Sequence, residues 1–419
     1  MAPDKIYRAL FGVSGLFFFL NGQSQNMNNP YSVYGIGDID FKNYNRTSGM
    51  GGTGLAIKSG SSFIDNNPAA ISGLPRSFYL AHVSVTGKTS TYAGDPINAD
   101  NSRNKDMWIK RFELGVKING WWASSIGFGQ FSNVNYKFRG NKFIEGSSTN
   151  YETSMEGEGG LNDYHWSNAF ALGKHLSLGI KSSLIAGSIN QSEIIDDPIL
   201  QNTLTTRQQD YLSQFVFTGG LIYEIPLNKR WDFSIGGKYS HEQKFSAERT
   251  LTVMEGEQVI KEDVFTKANR FSLPQTIAGG ISFRHNKKTT LALDYTHEDW
   301  SALKIKSTGW QMINNDRITG GVEFSRFKNR QGKEVDYKFF QMGGFYNTGS
   351  LQVRNKPIKE YGFTLGTGGL IGNGLVYTLS GEVGVKGTTQ VKLIKETYFG
   401  LTLNFTYSDL LFSKGRRYD

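Results

Sequence analysis

The stretch YFGLTLNFTY, residues 398–407, decides the fold class because its side chains alternate between apolar and polar. The apolar positions are Phe399, Leu401, Leu403, Phe405 and Tyr407. The positions between them are Gly400, Thr402, Asn404 and Thr406. A β-strand repeats every two residues, so this stretch presents one apolar and one polar face. It predicts a strand that lies between an apolar and a hydrated environment.

The same alternation recurs from Phe78 onward, in segments joined by turns that are short on one side and long on the other. Asn119-Gly120, for example, fits a two-residue type I′ hairpin turn. The alternate connections, which we expect to be long polar loops, are residues 87–106, 139–160, 190–210, 247–267 and 302–315. Short turns on one side and long loops on the other are typical of outer-membrane barrels. The connection at residues 326–336 is long at a position where a short turn is expected, and it predicts a charged periplasmic excursion.

These patterns predict an all-β fold, a single transmembrane antiparallel β-barrel of about fourteen strands over residues 77–407. An even strand count places both chain termini in the periplasm. Heavy use of glycine and aromatic residues (50 Gly, 29 Phe and 20 Tyr in 419 residues) favours a closed sheet over helices. We expect tryptophans such as Trp108, Trp121, Trp231, Trp300 and Trp310 to form girdles at the membrane interfaces.

The N-terminus has the organisation of a secretory signal peptide, which we place at residues 1–24. Lys5 and Arg8 precede an apolar run, residues 9–20, and the small residues of Gly22-Gln23-Ser24 follow. The run is too short to span a bilayer as a helix. The chain has no Cys, which excludes disulfides and a lipid-modified N-terminal Cys. The localisation that follows is the outer membrane of a Gram-negative bacterium, in contact with its lipid.

Charged residues are scattered along the predicted strands and do not form a basic block. The net charge is +9, but the sequence contains no nucleic-acid-reading motif, so nucleic acid is not expected as a partner. Arg111, Glu113, Lys238 and Asp294 fall on the polar strand faces. A Lys or Arg facing lipid at mid-membrane costs about 2–4 kcal/mol. We therefore expect these side chains inside the barrel.

Residues 25–76 precede the first strand and do not alternate. A barrel of about fourteen strands would leave an open pore, and this segment is long enough to fold back into it as a hatch. Its Gly-rich run, GMGGTG at residues 49–54, lacks the Lys-Ser/Thr pair of a phosphate-binding loop. Nucleotide binding is therefore not expected. The hatch residues that we predict are Gly51, Gly52, Gly54, Asn67, Pro68 and Ala69.

The glycine run followed by Asn67-Pro68-Ala69 resembles the N-terminal hatch of the FadL/TodX family. Further matches are Leu273-Pro274 and Asp294-Tyr295 with Asp299-Trp300-Ser301. The resemblance implies a channel for fatty acids and other hydrophobic compounds, with a sideways exit at a kink in the third strand. PorV-like relatives also resemble this sequence in hatch and NPA motif, yet they are subunits of secretion machinery.

The third predicted strand, residues 121–138, contains candidates for such a lateral opening. Ile126, Phe128, Val134, Tyr136 and Phe138 share its predicted lipid face. Polar residues that interrupt a lipid face favour a bulge, a kink or a protein neighbour. An ordinary bulge near the outer end of the strand is the alternative. The residues at this interruption are Gly127, Gly129, Gln130 and Ser132.

The sequence predicts no enzyme, no catalytic residues, no metal site and no cofactor. His165 and Ser167 share a strand face, but this spacing arises often by chance and lacks an orienting partner. Two functions remain open. One is passive uptake of small hydrophobic or amphipathic, fatty-acid-like molecules. The other is a barrel subunit of a larger complex for protein secretion or outer-membrane protein insertion, with other outer-membrane or periplasmic proteins as partners. The periplasmic tail, residues 408–419, belongs to the second interpretation.

Overall fold

The chain forms a closed antiparallel β-barrel of 14 strands. The computed structural model describes residues 29–411 apart from 96, 98–101, 144–149, 198–201, 267–270, 331–332 and 373. The predicted signal peptide, both chain termini and most of the predicted tail lie outside the described residues. The barrel closes where its first strand pairs with its last, from Phe78 opposite Leu410 to Gly94 opposite Ile394.

The strands are numbered in chain order. They are β1 (Asp38–Ile39), β2 (Phe78–Gly94), β3 (Arg103–Lys117), β4 (Trp122–Gln130), β5 (Ser132–Phe143), β6 (Asn150–Leu172), β7 (Leu176–Asp197), β8 (Asn202–Pro226), β9 (Trp231–Ser240), β10 (Gln243–Lys244), β11 (Ser246–Glu255), β12 (Gln258–Thr266), β13 (Ser272–Leu273), β14 (Thr276–His285), β15 (Thr289–Glu298), β16 (Lys306–Ser307), β17 (Trp310–Met312), β18 (Asn315–Arg330), β19 (Lys333–Asn347), β20 (Leu351–Val353), β21 (Lys356–Pro357), β22 (Glu360–Ile371), β23 (Leu375–Gly387) and β24 (Ile394–Leu410). Short 3₁₀ helices occupy Pro30–Val33, Arg46–Met50, Pro68–Gly73, Trp300–Leu303 and Gln390–Lys392. None of the helices in the described part has the length and apolar character needed to cross a membrane.

The outer face of the barrel is apolar, as the alternation predicts. On β24, Phe399 and Leu401 are exposed, whereas Asn404 and Thr406 are buried inside. The predicted inward charges are also inside, with Glu113 and Asp294 buried. The tryptophan prediction holds in part, because Trp121 and Trp231 are exposed near short turns but Trp300 is buried. The strand face on which a side chain lies therefore predicts the environment of that side chain more reliably than its residue type does.

Most of the predicted long loops are strands, and this corrects the sequence interpretation. Residues 139–160, 190–210 and 247–267 contribute to β5, β6, β7, β8, β11 and β12. These strands continue beyond the barrel wall as one antiparallel sheet, in the order β5, β6, β7, β8, β11, β12. We call it the projecting sheet. Its sequence is polar because it continues beyond the apolar band of the barrel, so its polarity did not distinguish it from a loop.

The predicted periplasmic excursion at residues 326–336 is a continuation of β18 and β19, which stay paired as far as Arg330 opposite Lys333.

Residues 29–76, which we call the N-terminal segment, pack against inward-facing positions of the barrel wall. The 3₁₀ helix Pro68–Gly73 contacts β6, β7 and β8, and the helix Arg46–Met50 contacts β18, β19 and β22. The N-terminal segment therefore lies within the barrel.

Candidate functional site

The barrel wall has a break in its third strand. β4 ends at Gln130 and β5 begins at Ser132, with Phe131 between them. β4 pairs with β3 only as far as Arg111 opposite Gly129. Beyond Arg111, β3 continues alongside β2 to Arg103, whereas β5 pairs with β6. No backbone pairing joins β3 to β5 among the described residues, and we call this separation the wall gap.

A bulge at the break exchanges the two side-chain faces of the strand above it. Between Gln130 opposite Asn162 and Val134 opposite Gly159, the β4–β5 strand carries one residue more than β6. One extra residue moves every following side chain to the other face. Val134 and Tyr136 are consequently buried inside the barrel. The prediction that they share the lipid face with Ile126 was wrong for this reason.

The N-terminal segment supplies the edge of β5 with the backbone partner that β3 does not provide. Asp38 and Ile39, which form β1, pair with Asn133 and Ser132. The Asp40 N–H donates to the Phe131 carbonyl at 2.9 Å. The Ser132 hydroxyl donates to the carbonyl of Ile36 at 2.8 Å. An unpaired strand edge inside a membrane is costly, so these contacts stabilise the kinked strand.

Lys110 ties the same segment to the other side of the wall gap. Its ammonium lies 2.8 Å from Asp40 Oδ2 and donates to Gln130 Oε1 at 2.7 Å. Burial raises the pKa of the Asp40 carboxyl, but the charges of Lys110 and Lys42 and the hydrogen bonds from Lys110 and Tyr44 together outweigh burial and lower this pKa to about 2. Asp40 is therefore ionised at neutral pH. The ion pair joins β3, β4 and the N-terminal segment at one point.

A second buried network lies just below the break. Arg111 on β3 forms an ion pair with Asp65 of the N-terminal segment. Glu113 on β3 lies 3.3 Å from His165 Nε2 on β6. The ligand atoms of Asp65, Glu113 and His165 lie within 4.8 Å of one another, close enough to hold a metal ion. The Arg111 guanidinium already neutralises Asp65, so the arrangement is explained as a charge network.

The four residues predicted for a lateral opening flank this break. Gly127 lies against His165, whose Nε2 would be 2.5 Å from an added Cβ. Gly129 is the last residue of β4 to pair with β3, opposite Arg111. Gln130 accepts a hydrogen bond from Lys110, and Ser132 is the first residue of β5. The structure brings all four together at the wall gap; that they form an opening for cargo stays a prediction.

The predicted glycines of the N-terminal segment allow close contact with the wall. Gly51 has a φ of 70°, which favours glycine, and its N–H donates to Thr364 Oγ1 at 2.8 Å. Gly52 follows in the same turn, and the Gly54 N–H donates to Asp294 Oδ2 at 2.7 Å. The glycine run therefore binds wall side chains through its backbone.

Asn67, Pro68 and Ala69 dock on the opposite wall. The Asn67 side chain caps the 3₁₀ helix by accepting from Ala69 N–H at 3.0 Å. Its amide also donates to the carbonyls of Leu55, Leu221 and Gly237. Pro68 and Ala69 touch glycines on the wall, where a Cβ at Gly179 would lie 2.2 Å from Ala69 N. The motif fixes the segment against β7, β8 and β9.

A cavity of about 290 Å³ lies between the N-terminal segment and the wall. Its lining includes apolar side chains of Ile185, Val216, Leu273 and Trp300. It also includes Lys238 and Arg317, which form no ion pair with a carboxylate among the described residues. Arg317 donates to the carbonyl of Phe41. The same lining contains carboxylates, among them Asp294 and Glu298, so the cavity combines an apolar wall with charged groups of both signs.

A smaller hollow of about 110 Å³ lies at the wall gap, lined by Trp108, Lys110 and Gln130. Residues 39–42 line both this hollow and the larger cavity. Sequence reasoning did not identify Asp40, Lys110 or Lys238 as site residues. A lysine on an inward strand face looks the same in sequence whether or not it has an acidic partner, so no local signal distinguishes these residues.

The closed barrel and its internal segment define the class of protein: an outer-membrane β-barrel with the FadL-like fold. Solved structures with this fold include the CymD monoaromatic hydrocarbon channel (17% identity, 87% of this chain and 97% of that chain, TM-score 0.53). A second is the Pseudomonas putida toluene transporter TodX (13% identity, 89% of this chain and 100% of that chain, TM-score 0.58). A third is a Pseudomonas aeruginosa FadL homologue (13% identity, 90% of this chain and 100% of that chain, TM-score 0.59). At these identities the likeness concerns the fold.

The family model described as BamG matches residues 6–419, and the chain belongs to the BamG family. No curated protein matches the chain. The resemblance to FadL/TodX proteins is therefore confirmed for the fold, whereas the family itself is BamG.

Proposed function

We propose that this protein is a passive outer-membrane conduit for small amphipathic or hydrophobic molecules, with the N-terminal segment as its hatch. The observation that carries the proposal is the wall gap. β3 and β5 separate at Phe131, and Asp38–Ile39 of the segment takes the backbone positions beside β5. If the segment withdraws, the cavity is open to the side of the barrel, where lipid lies.

The cavity indicates the chemistry of the cargo. Ile185, Val216 and Trp300 suit an apolar body. Lys238 and Arg317, which lie in the same lining as Asp294 and Glu298, supply the cations for an anionic head such as a carboxylate. Neutral monoaromatic compounds would not use these cations. We therefore favour amphipathic anions over plain hydrocarbons, within the fatty-acid-like class.

The route follows from the residues that the two hollows share. Phe41 and Lys42 line both, so a molecule passing from the cavity to the wall gap must pass them. Lys42 is held by Glu382 at 2.6 Å. The sequence contains no energy-coupling motif, so movement would follow the concentration gradient and partition into the bilayer. The proposed role is transport without catalysis.

Deleting residues 28–71 tests the hatch. Proteoliposomes with the deleted form should admit small sugars that the full chain excludes, measured by liposome swelling. Both forms should show the heat-modifiable migration of a folded barrel. Equal sugar permeability of folded full-length and deleted proteins would contradict the proposal.

A second candidate is a barrel subunit of a larger outer-membrane complex for protein secretion or outer-membrane protein insertion. The β11–β12 hairpin favours it. Val259, Ile260 and Val264 are 50–57% exposed on a strand that pairs, among the described residues, with β11 alone. The hairpin is also acidic, with Glu248, Glu255, Glu257, Glu262 and Asp263 against Arg249 and Lys261.

This hairpin continues beyond the apolar band of the barrel, so contact with acyl chains does not explain its apolar side chains. Exposed apolar residues on a free strand edge are suited to pairing with another protein. The BamG family match includes the hairpin. Purification from native membranes separates the candidates. A stoichiometric protein partner that Ile260→Lys releases supports the subunit, and a lone barrel with bound lipid supports the conduit.

A further inference from the structure

The outer face of the projecting sheet contains a trough of about 840 Å³ that the conduit does not use. It is formed by β5, β6, β7, β8 and β11. Strand alternation separates its two faces: on β8, Phe215 and Phe217 are exposed on the outside, so Gln209 and Arg207 also face outside. The trough is therefore open to the surroundings of the barrel.

The height of the trough places it just above the acyl chains of the bilayer. On the outer face of β8, which carries Phe215 and Phe217, the exposed apolar side chains end at Tyr211. Tyrosine at this position is typical of the membrane interface. From Tyr223 near the short turn to Gln209, a strand tilted by roughly 40° rises about 35 Å, whereas the apolar band of such barrels is about 25 Å tall. Gln209 and Arg207 thus lie at the level of lipid headgroups.

The side chains at this level form rows of polar groups across the strands. One row joins directly paired positions on four strands: Glu158, Asn190, Gln209 and Thr250. Three strand spacings make the row about 15 Å long. Amide and hydroxyl groups both donate to and accept from sugar hydroxyls, and a carboxylate accepts from them. An array of this kind fits a sugar better than an acyl chain.

The next row outward supplies a cation. Arg207 is exposed, is paired in register with Ser192 on β7 and Thr252 on β11, and makes no ion pair or side-chain hydrogen bond among the described residues. Lys137 in the same row is already paired with Glu156. A free guanidinium beside hydroxyl and amide groups is suited to a phosphate.

We propose that this trough binds the phosphorylated sugar headgroup of an outer-leaflet glycolipid. The phosphate lies on Arg207, and the sugar hydroxyls lie along the row that contains Asn190, Gln209 and Thr250. The proposal requires that the projecting sheet face the exterior, as the long side of outer-membrane barrels does. It does not depend on passage through the barrel.

The test uses the full-length barrel in one detergent and measures binding by calorimetry. The probe is the soluble, deacylated and phosphorylated saccharide backbone of rough lipopolysaccharide. Arg207→Gln should weaken binding at least tenfold, and so should removal of the phosphates from the probe. Arg230→Gln, an exposed arginine at the short-turn end, is the matched control and should bind as the parent does.

Thr252→Glu keeps the arginine but adds a negative charge beside it, and it should also weaken binding at least tenfold. Heat-modifiable migration on gels confirms that each variant is folded. If intact rough lipopolysaccharide in nanodiscs binds more tightly than the soluble saccharide, the ligand of the trough is the glycolipid. Equal affinities identify a soluble phosphosaccharide and overturn the glycolipid assignment.

Three results overturn the proposal as a whole. They are equal binding of the phosphorylated and dephosphorylated probes, unchanged binding by folded Arg207→Gln, and full competition by inorganic phosphate at equal concentration. The last would mean that the site takes an adventitious ion only.

Discussion

The ammonium of Lys110 on β3 lies 2.8 Å from Asp40 Oδ2 in the N-terminal segment, and this ion pair bridges the wall gap. Both side chains are largely buried, with 9% and 14% of their surfaces exposed. Removing one partner of a buried ion pair leaves the other charge uncompensated and is strongly destabilising. The pair is therefore the contact whose loss should release the segment most directly.

Lys110→Met should loosen the N-terminal segment. A loss of only about 1.4 kcal/mol raises the population of the released state tenfold. The chain has no Cys, so Ile36→Cys can report opening through its rate of reaction with an aqueous thiol reagent. The rate should rise at least tenfold. Lys105→Met, an exposed lysine on the same strand, is the control and should leave the rate unchanged.

A disulfide between Ile39→Cys and Ser132→Cys should lock the wall gap. The two residues are direct antiparallel partners, a spacing that a disulfide can bridge. Oxidation should reduce uptake of a fluorescent fatty-acid analogue into proteoliposomes, and a reductant should restore it. The pair Arg284→Cys and Thr290→Cys on β14 and β15 is the control. Equal uptake before and after reduction would exclude movement of β1 away from β5.

Gly343→Ala should displace the N-terminal segment from β19. Its Cβ would lie 2.3 Å from the backbone carbon of Met50, so the backbone must shift. Overpacking of this kind costs about 1–3 kcal/mol. The melting temperature in detergent should fall. Gly219→Ala, which has open space around its Cβ, should melt as the parent does; similar melting of both variants would argue against close packing at Met50.

Asn67→Ala should destabilise the same segment at the opposite wall. The change removes a helix cap and leaves the carbonyls of Leu55, Leu221 and Gly237 without this donor. Buried polar groups left unpaired cost about 1–3 kcal/mol. Asn67→Asp retains the cap but loses the donors, so it should recover only part of the melting temperature. Full recovery would show that the cap alone matters.

Acidification should leave the gap closed until the pH is very low. The pKa of Asp40 is lowered to about 2, below the value of about 3.9 for an unfolded aspartate. A lowered pKa means that the stabilisation is fully present above pH 4 and is lost as the pH falls through 2. Conductance in planar bilayers should therefore be the same at pH 7 and pH 5. A rise at pH 5 would show that Asp40 does not control closure.

The sequence alone predicted the closed barrel, its strand count and, outside the break in the third strand, the outward faces of strands such as β24. Alternation at positions such as Phe399, Leu401 and Asn404 is a local consequence of strand geometry, so it can be read without knowing the neighbours. The same alternation indicated a break at Gly127, Gly129, Gln130 and Ser132, because polar residues interrupt an apolar strand face there.

Other features were decided by tertiary structure. The bulge at Phe131 depends on the register between β4, β5 and β6, and it moved Val134 and Tyr136 from the lipid face to the interior. The pairing of Lys110 with Asp40 joins residues 70 positions apart. The projecting sheet has the polar sequence of a loop because it continues beyond the apolar band of the barrel. Pairing register and long-range contacts belong to strands together, so no single stretch of the sequence encodes them.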